Sequence, residues 1–121
     1  MPEKRFIIGE KASELMTSVL DITTSKSHYP VRFRRLSDKL QGCAIDIYCL
    51  SEDANSIKTD TQKRKDTRFD MQTSVISCCN KFLKLAEYSL HAKLISEATC
   101  DSWSSLVADI KYMTLSARSK L

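Results

Sequence analysis

The stretch HYPVRFRR, residues 28–35, places Arg32, Arg34 and Arg35 beside Tyr29, with Lys39 one turn further on. A second stretch, TQKRKDTRFD at 61–70, carries Lys63, Arg64, Lys65 and Arg68. From Lys26 to Lys39 there are five Lys/Arg against one Asp, and from Lys58 to Arg68 five against two. Guanidinium groups fork onto phosphate oxygens and ammonium groups neutralise them as point charges, so both groups suit a polyanion. Both also fall where a helical pattern begins. There the aligned peptide dipoles already supply roughly half a positive charge, and each added cation costs a few tenths of a kcal/mol. A phosphate would relieve that conflict, because the free N–H groups of a helix start and the neighbouring cations both bind it. The competing reading is solvated surface charge, partly paired to Asp38, Asp60 or Asp66. Tyr29 is the aromatic best placed to stack on a base, but aromatics are scarce and single-strand readout by stacking is weakly supported.

Other chemistries find little support. The two histidines, His28 and His91, have no partner at helical ligand spacing, so no metal site is expected. Gly9 and Gly42 are the only glycines, which rules out a glycine-rich phosphate loop, and no GxSxG turn is present. Glu52 and Asp53 read as a solvated helix face rather than an acid–base pair. Cys78 and Cys79 point about 100° apart on a helix, with Cys79 in an apolar seam, and read as small core-filling residues. No catalytic residue and no cofactor is expected.

The elements that must carry the basic groups follow from apolar spacing. A lead-in segment is expected over residues 1 to about 10, ending at Gly9, with a first helix from near Lys11 through Ala12, Leu15, Val19 and Ile22. A second helix opens in HYPVRFRR and carries a three–four seam of Phe33, Leu36, Leu40, Cys43, Ile47, Leu50, Ala54 and Ile57. Gly42 interrupts it, at about 1 kcal/mol relative to alanine, and close approach of a neighbouring helix is the expected reason. A third helix from near Gln62, similar in length to the second, repeats the period through Phe69, Gln72, Ile76, Cys79, Leu83, Ala86, Leu90 and Leu94. A fourth runs from Glu97, capped by Ser96, through Trp103, Leu106, Val107, Ile110, Met113 and Ala117. Short connections then predict an all-α, up-down-up-down four-helix bundle in one domain over 1–121. The two basic groups would lie at opposite ends of it.

At 121 residues with two glycines and two prolines, the chain has room for one core and few helix breakers. Net charge is +4, with an isoelectric point near 8.8, which is mildly basic and decides little alone. Five cysteines, an odd number, with no leader-like N-terminus, read as reduced thiols of a soluble cytoplasmic protein without a membrane span. Met16, Leu20, Val107 and Leu115 fall outside a single seam, which points to a homo-oligomer.

With these residues in place, the chain resembles the small four-helix-bundle family of the accessory variability determinants of diversity-generating retroelements and the related proteins of ribosomal-RNA intervening sequences. HYPVRFRRLSDKL opening helix 2, DANSI closing it, Arg68 with Gln72 early in helix 3, and WSSLVADIKYM on helix 4 carry the likeness, which covers most of the chain. One departure is LSARSKL, where an aromatic, typically Trp, is expected in the last turn. The resemblance implies a homo-oligomeric, pentameric basic ring that binds a reverse transcriptase and its RNA or DNA and is not itself catalytic. A helical bundle serving structure or protein contact, with no nucleic-acid role, is the alternative.

Overall fold

The computed structural model describes residues 5–121. Four helices follow one another: α1 (Ile7–Thr23), α2 (Arg34–Ser56), α3 (Gln62–His91) and α4 (Glu97–Ser119), with a single 3₁₀ turn, η1 (Val31–Phe33), leading into α2. Each helix packs on its two neighbours around a square, α1 on α2 and α4, α3 on α2 and α4. The connections are short, so the helices run up, down, up and down, and the architecture is an all-α four-helix bundle. Its upper end holds the start of α2 and the α3–α4 connection. The lower end holds Phe6, the α2–α3 connection and the end of α4.

The first helix begins earlier than its apolar spacing predicts. Ile7–Glu10 are helical, so the expected lead-in segment is already the first turn of α1 where it is described, and residues 1–4 lie outside the described residues. Gly9 does not end a lead-in. It is buried within α1, and a Cβ there would meet the end of the Glu52 side chain and stand 2.7 Å from Phe6 Cδ2, so this glycine makes room for the Phe6 ring beside the first turn. Glu10 in the first turn complements the dipole, as Glu97 does in α4 behind the Ser96 cap.

Gly42 reverses the expectation made for it. Nothing lies within 4 Å of a Cβ built there, so no neighbouring helix calls for the glycine. Arg35, Asp38, Lys39, Asp46 and Lys81 instead border a shallow surface groove around it.

The core joins Leu15 and Val19 of α1, Leu40 and Ile47 of α2, Val75, Cys79 and Phe82 of α3, and Trp103, Val107 and Ile110 of α4. Trp103 meets Phe82 edge to face at 5.7 Å between ring centroids, and its Nε1–H donates to Ser18 Oγ at 2.9 Å, which ties α4 to α1. The buried line of α3 is Gln72, Val75, Cys79, Phe82, Ala86 and Ser89. Gln72, Cys79 and Ala86 are buried as expected, but the line is rotated from the rest of the expected seam: Ile76, Leu83 and Leu90 are half-buried flank and Phe69 is exposed. On α2 the buried positions include the small residues Ser37, Ala44 and Ser51 as well as Leu40 and Ile47, with Leu36 and Leu50 half-buried beside them. Val107, expected outside the seam, is fully buried, and Met16 packs against the core. α3, at 30 residues, outruns the 23 of α2 rather than matching it.

The connection from α3 to α4 is closed without glycine. Lys93 takes the left-handed conformation (φ 62°), while Lys93 N–H donates to Leu90 O and Leu94 N–H to Ser89 O, both at 2.9 Å. This is a Schellman stop, and Leu94, the residue after Lys93, is buried.

Candidate nucleic-acid interface

The first basic group sits on an uncompensated helix start. Phe33 precedes α2 with no side-chain cap, and the first turn holds no acidic residue. Arg32 and Arg35 are exposed and make no ion pair among the described residues; Arg32 lies over the Phe33 ring at 5.0 Å. Arg34 reaches Asp38 only at 4.0 Å, with both side chains largely in water. With the cation N-terminal to the anion, that is the weaker orientation of an i,i+4 pair, so it leaves Arg34 nearly free. Lys39 is exposed one turn below Arg35, with no ion pair among the described residues, and both line the groove around Gly42. Lys81 of α3 reaches the same groove from across the helix pair, a contribution the sequence pattern misses because Lys81 is distant in sequence from either cluster.

The second group is held differently. Thr61 caps α3 by accepting from Arg64 N–H at 3.2 Å. The Arg64 guanidinium donates from Nη1 to both oxygens of Asp60, at 2.7 and 2.8 Å. Asp66 accepts from Gln62 rather than from a cation. Arg68 turns inward: its Nη1 donates to Ile57 O at 3.3 Å, closing the end of α2, and its Nε is buried. Of the four residues expected here to meet phosphate, Arg68 is thus committed to the fold and Arg64 to Asp60, while Lys63 is exposed and Lys65 half-exposed, neither in an ion pair among the described residues. Lys58, Lys63 and Arg64 border an open depression at the α2–α3 connection.

The two groups stand at opposite ends of α2, whose 23 residues span roughly 35 Å at 1.5 Å per residue. One chain therefore offers two separate basic rims and not a single patch.

Tyr29 is not a stacking platform. It is 5% exposed, folded into the upper end of the core, and burial raises its phenol above the ordinary value, with the nearby Ser89 hydroxyl pulling the other way. A proline turn after it carries the chain into η1, which directs the ring inward. The exposed aromatics are Phe69, Tyr88 and Tyr112, and Phe69 is covered on one face by Arg118 at 4.8 Å. Arg118 comes from the LSARSKL segment and also donates to Thr73 Oγ1 at 2.9 Å, so a cation from α4 closes against α3 at the place where the family resemblance calls for an aromatic.

Among the described residues no three His, Cys, Asp or Glu side chains gather as a metal site, and no helix is long and apolar enough to cross a membrane. We found no match to a protein-family model, to a curated protein or to a solved structure.

Proposed function

We propose that the chain is a non-catalytic, basic nucleic-acid-binding accessory subunit that associates with a reverse transcriptase and its RNA or DNA in a diversity-generating retroelement, acting as a homo-oligomer, with a pentameric ring as the form its sequence resemblance implies. The observation that carries the nucleic-acid part is the start of α2, where Arg32, Arg34 and Arg35 crowd an uncapped, acid-free helix end with only one loose carboxylate contact among the described residues. Exposed guanidinium groups gather there, which suits a phosphate backbone, while Phe33 N–H and Arg34 N–H already donate to Pro30 O and Val31 O through η1. Lys39 and Lys81 add cations along the Gly42 groove, offset in part by Asp38 and Asp46, and Lys63 with Lys65 supplies a weaker second contact. Self-association would bring basic rims of several chains onto one surface and raise their joint affinity.

Titrating labelled RNA and DNA oligonucleotides with the protein tests the binding, and light scattering on the same sample tests assembly. Micromolar or tighter binding by a multimer is expected. No binding even at low salt would favour the alternative, a bundle serving protein contact, with which the engagement of Arg64 by Asp60 and of Arg68 by Ile57 O is consistent.

A further inference from the structure

The lower end of the bundle holds a small, partly open chamber of about 30 Å³. Ser51 of α2, Arg68 and Gln72 of α3, and Thr114 of α4 line it, and Phe6 and Ile8 border it on the α1 side. Ser51, Gln72 and Thr114 are each at least 95% buried. Ser51 Oγ, Arg68 Nε, Gln72 Oε1 and Thr114 Oγ1 are all buried without a hydrogen-bond partner in the protein. Four such atoms around one cavity are not scattered accidents of packing, because buried polar groups in folded proteins are almost always satisfied.

We propose that this chamber is a built-in binding site for ordered water, one or two molecules bridging α2, α3 and α4. The size fits, since a water needs roughly 10–15 Å³ of such volume. The chemistry fits more closely. Arg68 Nε–H can only donate and Gln72 Oε1 only accept, whereas the Ser51 and Thr114 hydroxyls do either. A water accepting from Arg68 and one hydroxyl, and donating to Gln72 and the other, satisfies all four. A bare anion would face the Gln72 oxygen unless the amide were reversed, in which case all four groups could donate and chloride would be the occupant. The site also accounts for the polar side chains that α2, α3 and α4 each bring to this end of the core.

Water–protein NOE and ROE spectra of the full chain test this. Cross-peaks between long-lived water and both the Gln72 side-chain amide and the Thr114 methyl are expected, and loss of the Thr114 methyl cross-peak in Gln72→Met. Thr114→Val provides the same arm should Gln72→Met not fold. Absence of those cross-peaks in the parent protein would overturn the proposal. A second arm compares melting temperatures in sodium chloride and sodium gluconate at equal ionic strength. Equal values are expected; a chloride-dependent rise that disappears in Gln72→Met would assign the chamber to an anion and overturn the water reading.

Discussion

Arg64 holds both carboxylate oxygens of Asp60 across one turn at the start of α3, whereas Arg34 at the start of α2 meets Asp38 only at 4.0 Å. The two basic helix starts therefore differ in what they leave available. Asp60→Asn should release Arg64 at a stability change within about 0.5 kcal/mol, since the pair is about half exposed. The log–log salt slope of RNA binding should steepen by up to about one unit. Equilibrium unfolding and binding isotherms on the one variant check both; an unchanged slope would mean that the lower rim does not meet phosphate.

The two glycines should respond with opposite signs to alanine. At Gly42 the added methyl meets nothing within 4 Å, so Gly42→Ala should stabilise the free chain by about 1 kcal/mol through helix propensity. Gly9→Ala should lower stability, because the methyl displaces Glu52 and presses on the Phe6 ring. Urea unfolding midpoints distinguish the pair. A loss of stability at Gly42→Ala would imply a neighbour across the groove within an assembly.

Lys93 carries a left-handed backbone with a side chain, at a position where glycine has no steric penalty. Lys93→Gly should raise stability by about 1 kcal/mol, visible as a higher melting temperature with unchanged helical content. A lower melting temperature would show that the lysine side chain contributes something its backbone conformation does not reveal.

Burial raises the Cys79 thiol to about 12, with neighbouring Cys78 adding to the shift, against an ordinary value of 9.0. The folded state thus holds this proton more tightly than the unfolded chain. Its contribution to stability is complete below about pH 9 and declines as pH rises from about 9 to 12, by about 1.4 kcal/mol per pH unit. In Cys79→Ala that component should vanish, so the stability difference between parent and variant should shrink as pH rises through this window. A difference independent of pH would mean that Cys79 is accessible to water. Cys49, which is exposed, should react with a thiol reagent long before Cys79 does.

The helices and their order were legible because apolar residues recur every three or four positions and the turns carry breakers or caps, as at Ser96. The rotation of α3 was not. Val75 and Phe82 lie one position before Ile76 and Leu83, both sets have helical period, and only packing against α2 and α4 decides which faces inward. Thr114, a polar core position, carries no hydropathy signal, whereas helical register alone places Gln72 in the buried line, and the lysine that stops α3 occupies a place where sequence logic looks for glycine. At the candidate interface the basic groups were legible as charge. Whether a cation is free was not, because Arg68 and Arg118 are engaged by partners 11 and 45 residues away in sequence.

The most direct test is the triple variant Arg32→Gln, Arg34→Gln, Arg35→Gln, with stability and salt-dependent RNA or DNA binding measured together. Removing cations from the positive end of α2 should leave stability level or raise it by a few tenths of a kcal/mol, since only a loose ion pair to Asp38 and an exposed stack on Phe33 oppose the gain. Binding should weaken, and the log–log salt slope should flatten by nearly one unit for each phosphate that is no longer neutralised. Reduced stability with unchanged affinity and an unchanged slope would contradict the account and make the arginines structural.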